Sequence, residues 1–415
     1  MIRDILQTIK HNKIWSAIII ALSIISFLIS LNAFTNAVSL YTQVDMVKDT
    51  FKDSMIDNIY TLKIVNTNDN QAETITNIKN FVSSLDEEIY TGAFYETGEY
   101  FNELESNSEY IRRNQTVYKN TYRENSPEIS EVIYVDAQLF NMIDTNITAS
   151  MFEISNDEYL PVYVGYEYKN ILPLETVLTL SRTNQKCIIK GYIQNEKWLN
   201  NDDFISFAPI SLDNKFIIPF SELDKKDNIT QESTNGKIFI YLGNNENNIN
   251  KYIQEINTYA EENGIKLNIT SVNELIDDYK NANQNIINSN IFLAIMVSVC
   301  AITSIISTIS ILVLMRKKEY GIKIAFGYTK KKIIFSLITE VITLEFCSAL
   351  ISYLMIYLKT LNDKSIFNEV YLQTLGSSSI IYMIIILFVV CLLILILPLI
   401  IINHYEPSDL IRGGE

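Results

Sequence analysis

Arg316-Lys-Lys-Glu-Tyr-Gly-Ile-Lys-Ile-Ala-Phe-Gly-Tyr-Thr-Lys-Lys-Lys-Ile333 is a short, strongly basic segment set between two long uncharged apolar runs. A bilayer core of ~30 Å takes roughly 20 helical residues, and the flanking runs, Ile291 to Met315 and Ile333 to Leu358, meet that length. Working outward, Ile380 to Ile402 and a first run from Ile14 to Leu31 or slightly beyond do so too. The sequence therefore predicts four membrane spans at 14–40, 291–315, 333–358 and 380–402. The first run lacks a small-residue cleavage site and reads as a retained helix.

Lys and Arg accumulate on the cytoplasmic side of short flanks. Arg3, Lys10 and Lys13 precede the first span, and Arg316, Lys317, Lys318, Lys323, Lys330, Lys331 and Lys332 lie between the second and third. The segment 359–379 offers only Lys359 and Lys364. The expected topology is a cytoplasmic N-terminus (1–13), an outer domain (41–290), a cytoplasmic loop (316–332), an outer loop (359–379) and a cytoplasmic tail (403–415).

The outer domain holds 20 Lys and Arg against 39 Asp and Glu, a net charge of −19 that accounts for the acidity of the whole chain. Nucleic-acid binding, which needs a basic face, gains no support from it. Cys187 is the one cysteine outside the spans, so no disulfide framework arises there. The only histidines, His11 and His404, fall on the inner side, which excludes a histidine-based zinc or catalytic site outside.

Apolar residues at Val44, Val47, Phe51 and Met55 predict that the first helix continues outward, and Leu275, Tyr279, Ala282 and Ile286 predict a matching helix leading into Ile291. Ser271 and Glu274 offer a capping box at its start. Two such helices can pair as a stalk or pack on the globular domain. Between them, a strand at Ile59 to Val65, a helical stripe at Ile75, Ile78, Val82 and Leu85, and a strand near Glu88 to Phe94 read as β-α-β. The order returns with Lys237 to Leu242, a stripe at Ile249, Ile253, Ile256 and Ala260 ending at Gly264, and Ile265 to Thr270. The two units are expected to form one α+β subdomain, with a β-rich insertion between them at 131–135, 160–164, 176–180, 187–193 and 216–219. The Tyr-rich patch from Tyr90 to Tyr122 reads as core or as a binding surface.

No G-x-x-x-x-G-K-[ST] loop, G-x-S-x-G elbow, H-E-x-x-H helix or C-x-x-C pair occurs, so the chain cannot hydrolyse ATP by the P-loop route and an enzyme is the least favoured class. Two carboxylates lie in the third span, where an acid costs ~3 kcal/mol or more at mid-depth. Glu340 sits about 10 Å from the inner end, within reach of the interface or of a basic loop residue. Glu345, near mid-depth, suits a buried interhelical or subunit-interface hydrogen bond, or a substrate contact. Cys300, Ser304 and Thr308 on the second span, and Ser23, Ser26, Ser30 and Ala33 on the first, are small-residue packing faces.

The order of one span, a large outer domain and three further spans, combined with Glu319 to Ile333, resembles the MacB/FtsX-like permeases of ABC transporters. Their loop commonly reads E-[IL]-G-[IL]-x-[RK]-A-[LI]-G-x-[ST]. Glu319, Gly321, Ile322, Ala325, Gly327 and Thr329 fall on that pattern, Glu340 on an acid often found early in the third span, and Pro407-Ser-Asp-Leu-Ile-Arg412 on the P-x-E-A-L-R ending. Gly165, Leu174 to Leu180 and Ile188 to Ile193 resemble the family's paired outer strands. Ile324 departs from the usual basic position, and Tyr320 and Tyr328 from smaller residues.

The resemblance implies a non-catalytic permease of the bacterial plasma membrane, with a MacB-like α+β outer domain on a helical stalk. It implies a cytoplasmic ABC ATP-binding subunit that carries ATP and Mg, a second permease copy or homologue, and no cofactor in this chain. The contact with the ATPase then falls on Arg316, Lys317, Glu319, Gly321, Ile322, Lys323, Ala325, Phe326, Gly327 and Thr329, while Glu340 and Glu345 are intramembrane polar sites. Expected cargo is a peptide, antibiotic or lipoprotein, and an envelope protein is a further expected partner. The alternative from another class is a membrane-anchored sensor that passes a ligand signal to a kinase.

Overall fold

The first apolar run and its stripe of outward-continuing residues form one helix, α1 (Lys13–Lys48), of 36 residues. At 1.5 Å per residue this is ~54 Å long, well beyond the thickness of a bilayer core. The computed structural model describes residues 13–67, 70–118, 124–152, 159–194, 196–198, 210–221, 224, 227–244, 246–361 and 366–404. The chain divides into two units, 43–282, and 1–42 with 283–415.

In the first unit the strands and helices run β1 (Ile59–Asn66), α2 (Gln71–Ser83), β2 (Tyr90–Glu99), α3 (Ser108–Val117), β3 (Ser130–Val135), β4 (Leu160–Gly165), β5 (Val177–Thr179), β6 (Lys186–Ile193), β7 (Lys197–Trp198), β8 (Ile210–Ser211), β9 (Phe216–Pro219), α4 (Asn228–Ser233), β10 (Ile238–Tyr241), α5 (Glu246–Glu262) and β11 (Lys266–Ser271). Nine of the strands make one sheet in the order β11-β1-β10-β2-β3-β9-β4-β6-β5. The two β-α-β units expected from periodicity are interleaved: β10 lies between β1 and β2, antiparallel to both, and β11 covers the far edge of β1. This is a split β-α-β arrangement.

The insertion carries on the same sheet. Tyr90 to Ala93 of β2 pair with β10, whereas Phe94 to Glu99 pair with β3 along the opposite edge. Beyond β3 the sheet turns partly parallel, through β3 with β9 and β4 with β6. One core lies under α2 and α5 and includes Ile75, Ile78, Val82, Ile240 and Ile256; a second, in the insertion, includes Phe101, Tyr110, Tyr134, Tyr168 and Phe216. Tyr95, Tyr110 and Tyr118 are buried, which decides the tyrosine patch largely in favour of core, although Tyr100 is exposed. Tyr122 lies outside the described residues.

α6 (Val272–Met315) is one helix of 44 residues. Ser271 Oγ accepts the Glu274 N–H at 3.0 Å, the main half of the expected capping box. The predicted stripe needs correction. Val272, Ile276 and Tyr279 are buried, while Ala282 and Ile286 are exposed. Leu275–Ile276 and Ile286–Ile287 are adjacent apolar pairs, so period alone could not choose between the two faces. Tyr279 Oη donates to Gln43 Oε1 at 2.6 Å, tying α6 to the end of α1 within this unit. α1 stops at Lys48, so Phe51 and Met55 do not extend its stripe; Phe51 instead bridges to Ile143.

The other unit continues with α7 (Lys317–Ala325), α8 (Lys330–Leu361), α9 (Ile366–Gly376) and α10 (Ser378–His404). Among the described residues, α1, α6 and α8 are long and apolar enough to cross a membrane, and α9 with α10, bent by 41°, makes a fourth candidate if counted as one span. The outer loop expected at 359–379 thus holds a helix. α1 is held in this unit by hydroxyl contacts: Ser30 Oγ with Ser298 Oγ (2.9 Å) and Tyr382 Oη (2.7 Å), Thr35 Oγ1 with Ser379 Oγ (2.8 Å), and Ser352 Oγ donating to Ile24 O (3.0 Å). The small face of α1 packs as expected. On α6 the face packed within the chain is instead Ala294, Ala301, Ile305 and Ile309, while Cys300 and Ser304 are exposed.

Candidate functional site at the basic segment

The segment read as a loop is a helix followed by a tight turn. α7 ends in a Schellman motif: the Gly327 N–H donates to Ile324 O at 2.9 Å and the Tyr328 N–H to Lys323 O at 3.0 Å. This ending needs a left-handed residue, and Gly327 has φ +90°. Thr329 follows as the cap of α8, its Oγ1 accepting from the Lys332 N–H at 3.3 Å. Only one of the two loop glycines therefore serves a turn. Gly321 lies inside α7 and is buried, where the lack of a side chain suits close packing.

The helix has two dissimilar faces. Tyr320 and Ile324 pack on the apolar cluster that includes Ile305, Ile309, Ile333 and Leu337. This explains the departure at Ile324, because a basic residue there would be driven into that cluster, and gives Tyr320 a packing role; Tyr328 is exposed. Ile322, Ala325 and Phe326 stand on the outward face at i, i+3 and i+4, with Ile322 52% and Phe326 83% exposed. Glu319 and Lys323 pair across one turn at 2.6 Å. Lys317 begins the helix, but its side chain is outside the described residues. Lys330, Lys331 and Lys332 open α8, the wrong end for cations with respect to the helix dipole; helix stability does not account for them.

Arg316 is separate from this outward set. It is only 5% exposed and forms a bidentate pair with Glu340, Nη1 to Oε2 at 2.9 Å and Nη2 to Oε1 at 3.1 Å. The pair pins the end of α6 to the third turn of α8. Glu340 thus has the basic partner from the 316–332 segment that its depth suggested, and the structure moves Arg316 from the surface to the frame.

Glu345 is fully buried. Ser23 Oγ on α1 donates to its Oε1 at 3.0 Å, the interhelical hydrogen bond expected for it, and its Oε2 has no partner among the described residues. Glu340 and Glu345 thus meet different partners, Arg316 and Ser23. Sequence reasoning missed Ser298 and Tyr382, which meet Ser30 in the same bundle; a lone hydroxyl in an apolar run gives no periodic signal. Among the described residues no group of His, Cys, Asp and Glu could hold a metal ion.

A set of long apolar helices carrying buried ion-paired and hydroxyl contacts, joined to a sheet-based domain, defines a membrane protein. Residues 291–407 match the family model described as FtsX-like permease C-terminal. The match spans α7 and the apolar helices on either side of it, and supports a relation to the FtsX/MacB-like ABC permeases. Proteins of this kind are non-catalytic membrane subunits that work with an ABC ATP-binding subunit. No curated protein matches the chain.

Proposed function

We propose that this chain is the mechanotransmitting permease of an ABC transporter, with four spans and both termini in the bacterial cytoplasm, acting with a second permease copy or homologue. A separate ATPase, holding ATP and Mg, moves α7 on nucleotide binding, and α6 and α8 carry the motion toward the outer domain. Cargo need not pass between the helices. Peptide, antibiotic or lipoprotein handling is the working class of task, and an envelope protein is a further partner to seek.

The observation that carries this reading is the exposed Ile322, Ala325 and Phe326 face on a helix bounded by the Arg316–Glu340 pair and the Gly327 turn. An apolar knob flanked by lysines suits a partner's groove, and a rigid mount suits force rather than mere attachment. The test is to purify the full chain with a candidate ABC ATP-binding subunit and measure complex yield and ATP hydrolysis. Interface anchors contribute ~2 kcal/mol or more, so Phe326→Ala is expected to weaken assembly about 30-fold. Normal assembly and normal stimulated hydrolysis in Phe326→Ala and Ile322→Asp refute the assignment. Recovery of a kinase in place of an ATPase returns the sensor reading.

A further inference from the structure

We infer that the outer unit holds a ligand site of its own, a cleft that takes a short uncharged peptide segment and whose occupancy is relayed to the end of α1. The cleft has a volume of about 510 Å³ and opens between α2, the start of β2 and the residues following β3. That size falls within the ~300–1,000 Å³ usual for ligand pockets.

Its charge selects the ligand class. Lys79 and Asp136 face each other across the cleft wall at 2.5 Å, and Asp136 Oδ2 also accepts the Ala93 N–H at 3.1 Å. The ammonium and the carboxylate neutralise one another, so a phosphorylated ligand or a polycation meets no excess of opposite charge. Asn80, Gln138 and Gln231 supply carboxamides, each a donor and an acceptor like a peptide group. Gln231, 4% exposed, directs its Nε2 to Asp224 O, while the exposed Gln138 accepts from Asn141 Nδ2 through its Oε1 and keeps its amide N–H groups as donors. Phe152 and Phe220 are 3% and 5% exposed. They give an apolar floor for a side chain but no open ring face on which a sugar could stack.

The same wall is tied to α1. Residues 137–141 form a short 3₁₀ turn directly after Asp136. A Cβ on Gly92 would meet Leu139 Cα at 2.7 Å, so this turn lies hard against the backbone of β2. At its far end Lys52 Nζ donates to Asn141 O (2.7 Å), the Lys52 N–H to Met142 O (3.0 Å) and the Asp144 N–H to Thr50 O (2.9 Å). A ligand that engages Gln138 or shifts Asp136 therefore pulls on the residues that immediately follow α1. The binding claim stands alone, whereas the relay rests on the mechanotransmission reading.

The experiment uses the full chain in lipid nanodiscs. The probe is a pool of acetylated, amidated neutral hexapeptides with one benzoylphenylalanine. Photo-adducts are mapped by mass spectrometry, and hydrogen exchange is followed over residues 48–55 and 139–146. Adducts are expected within 76–91 and 135–138, to fall at least tenfold in Ser83→Trp, a substitution at an exposed position whose fold is checked by an unchanged melting transition. Exchange in both segments is expected to slow several-fold on adding the unlabelled pool. Adducts scattered elsewhere, adducts undiminished by Ser83→Trp, or loss of adducts to a neutral trisaccharide competitor overturn the peptide site. Correct adducts with unchanged exchange overturn the relay and leave the site. Neither readout uses an ATPase, so failure of the permease reading shows separately, as absence of a nucleotide-binding partner.

Discussion

Replacing Glu340 by leucine removes both acceptors of the Arg316 guanidinium while keeping volume. The side chains of Arg316 and Glu340 are only 5% and 9% exposed, so the stranded cation cannot turn to water without unpacking the end of α6. Arginine does not deprotonate in proteins, and breaking a buried pair from one side costs about 3–5 kcal/mol. Arg316→Met strands the carboxylate in the same way and is likewise expected to cost about 3–5 kcal/mol. The double variant leaves no buried charge and is expected to lie within about 1 kcal/mol of the parent, since apolar replacement of such pairs is often close to neutral. The assay is equilibrium unfolding of the purified chain in mixed micelles, arranged as a double-mutant cycle. A double variant that costs the sum of the two singles, or a Glu340→Leu cost below about 1 kcal/mol, refutes the view that this pair fixes α6 to α8.

Two further outcomes test other features. No atom lies within 4 Å of a Cβ built on Gly327, so Gly327→Ala isolates the backbone cost of a left-handed residue, about 1–2 kcal/mol; partner-stimulated ATP hydrolysis is expected to fall several-fold, with Gly327→Asn retaining more than alanine does. Burial pushes the Cys187 thiol up to about 12, so the protonated form persists at ordinary pH. Maleimide labelling at Cys187 is therefore expected to be negligible at pH 8 until the sheet-based domain unfolds, and fast labelling of the native chain would contradict its burial.

The elements with strong period were legible from sequence. β1, α2, β2, β10, α5 and β11 appear where alternation or helical stripes placed them, because each buries one regular face. The interleaving of β10 between β1 and β2 was not legible, nor was the parallel pairing of β3 with β9, since both join residues about a hundred positions apart or more. α7 was hidden by Gly321, which costs about 1 kcal/mol inside a helix relative to alanine and so reads as a breaker; its burial against the bundle outweighs that penalty. The outward face of α7 was anticipated from Ile322, Ala325 and Phe326. Arg316 was grouped with it because charge alone cannot tell a surface cation from one facing Glu340. The cleft beside α2 left no motif at all, for its wall comes from six separate stretches of chain.

β2 gives its first four residues to β10 and its last six to β3. The insertion that leaves the split β-α-β fold after Glu99 and returns at Ile238 is therefore not a lobe hung on a flexible tether. One continuous strand serves both halves, and no cut through the domain can free the insertion without tearing that strand from one of its neighbours. The 43–282 unit should accordingly melt as a single cooperative body, with residues 99–238 losing their structure together with the split β-α-β part and not before it.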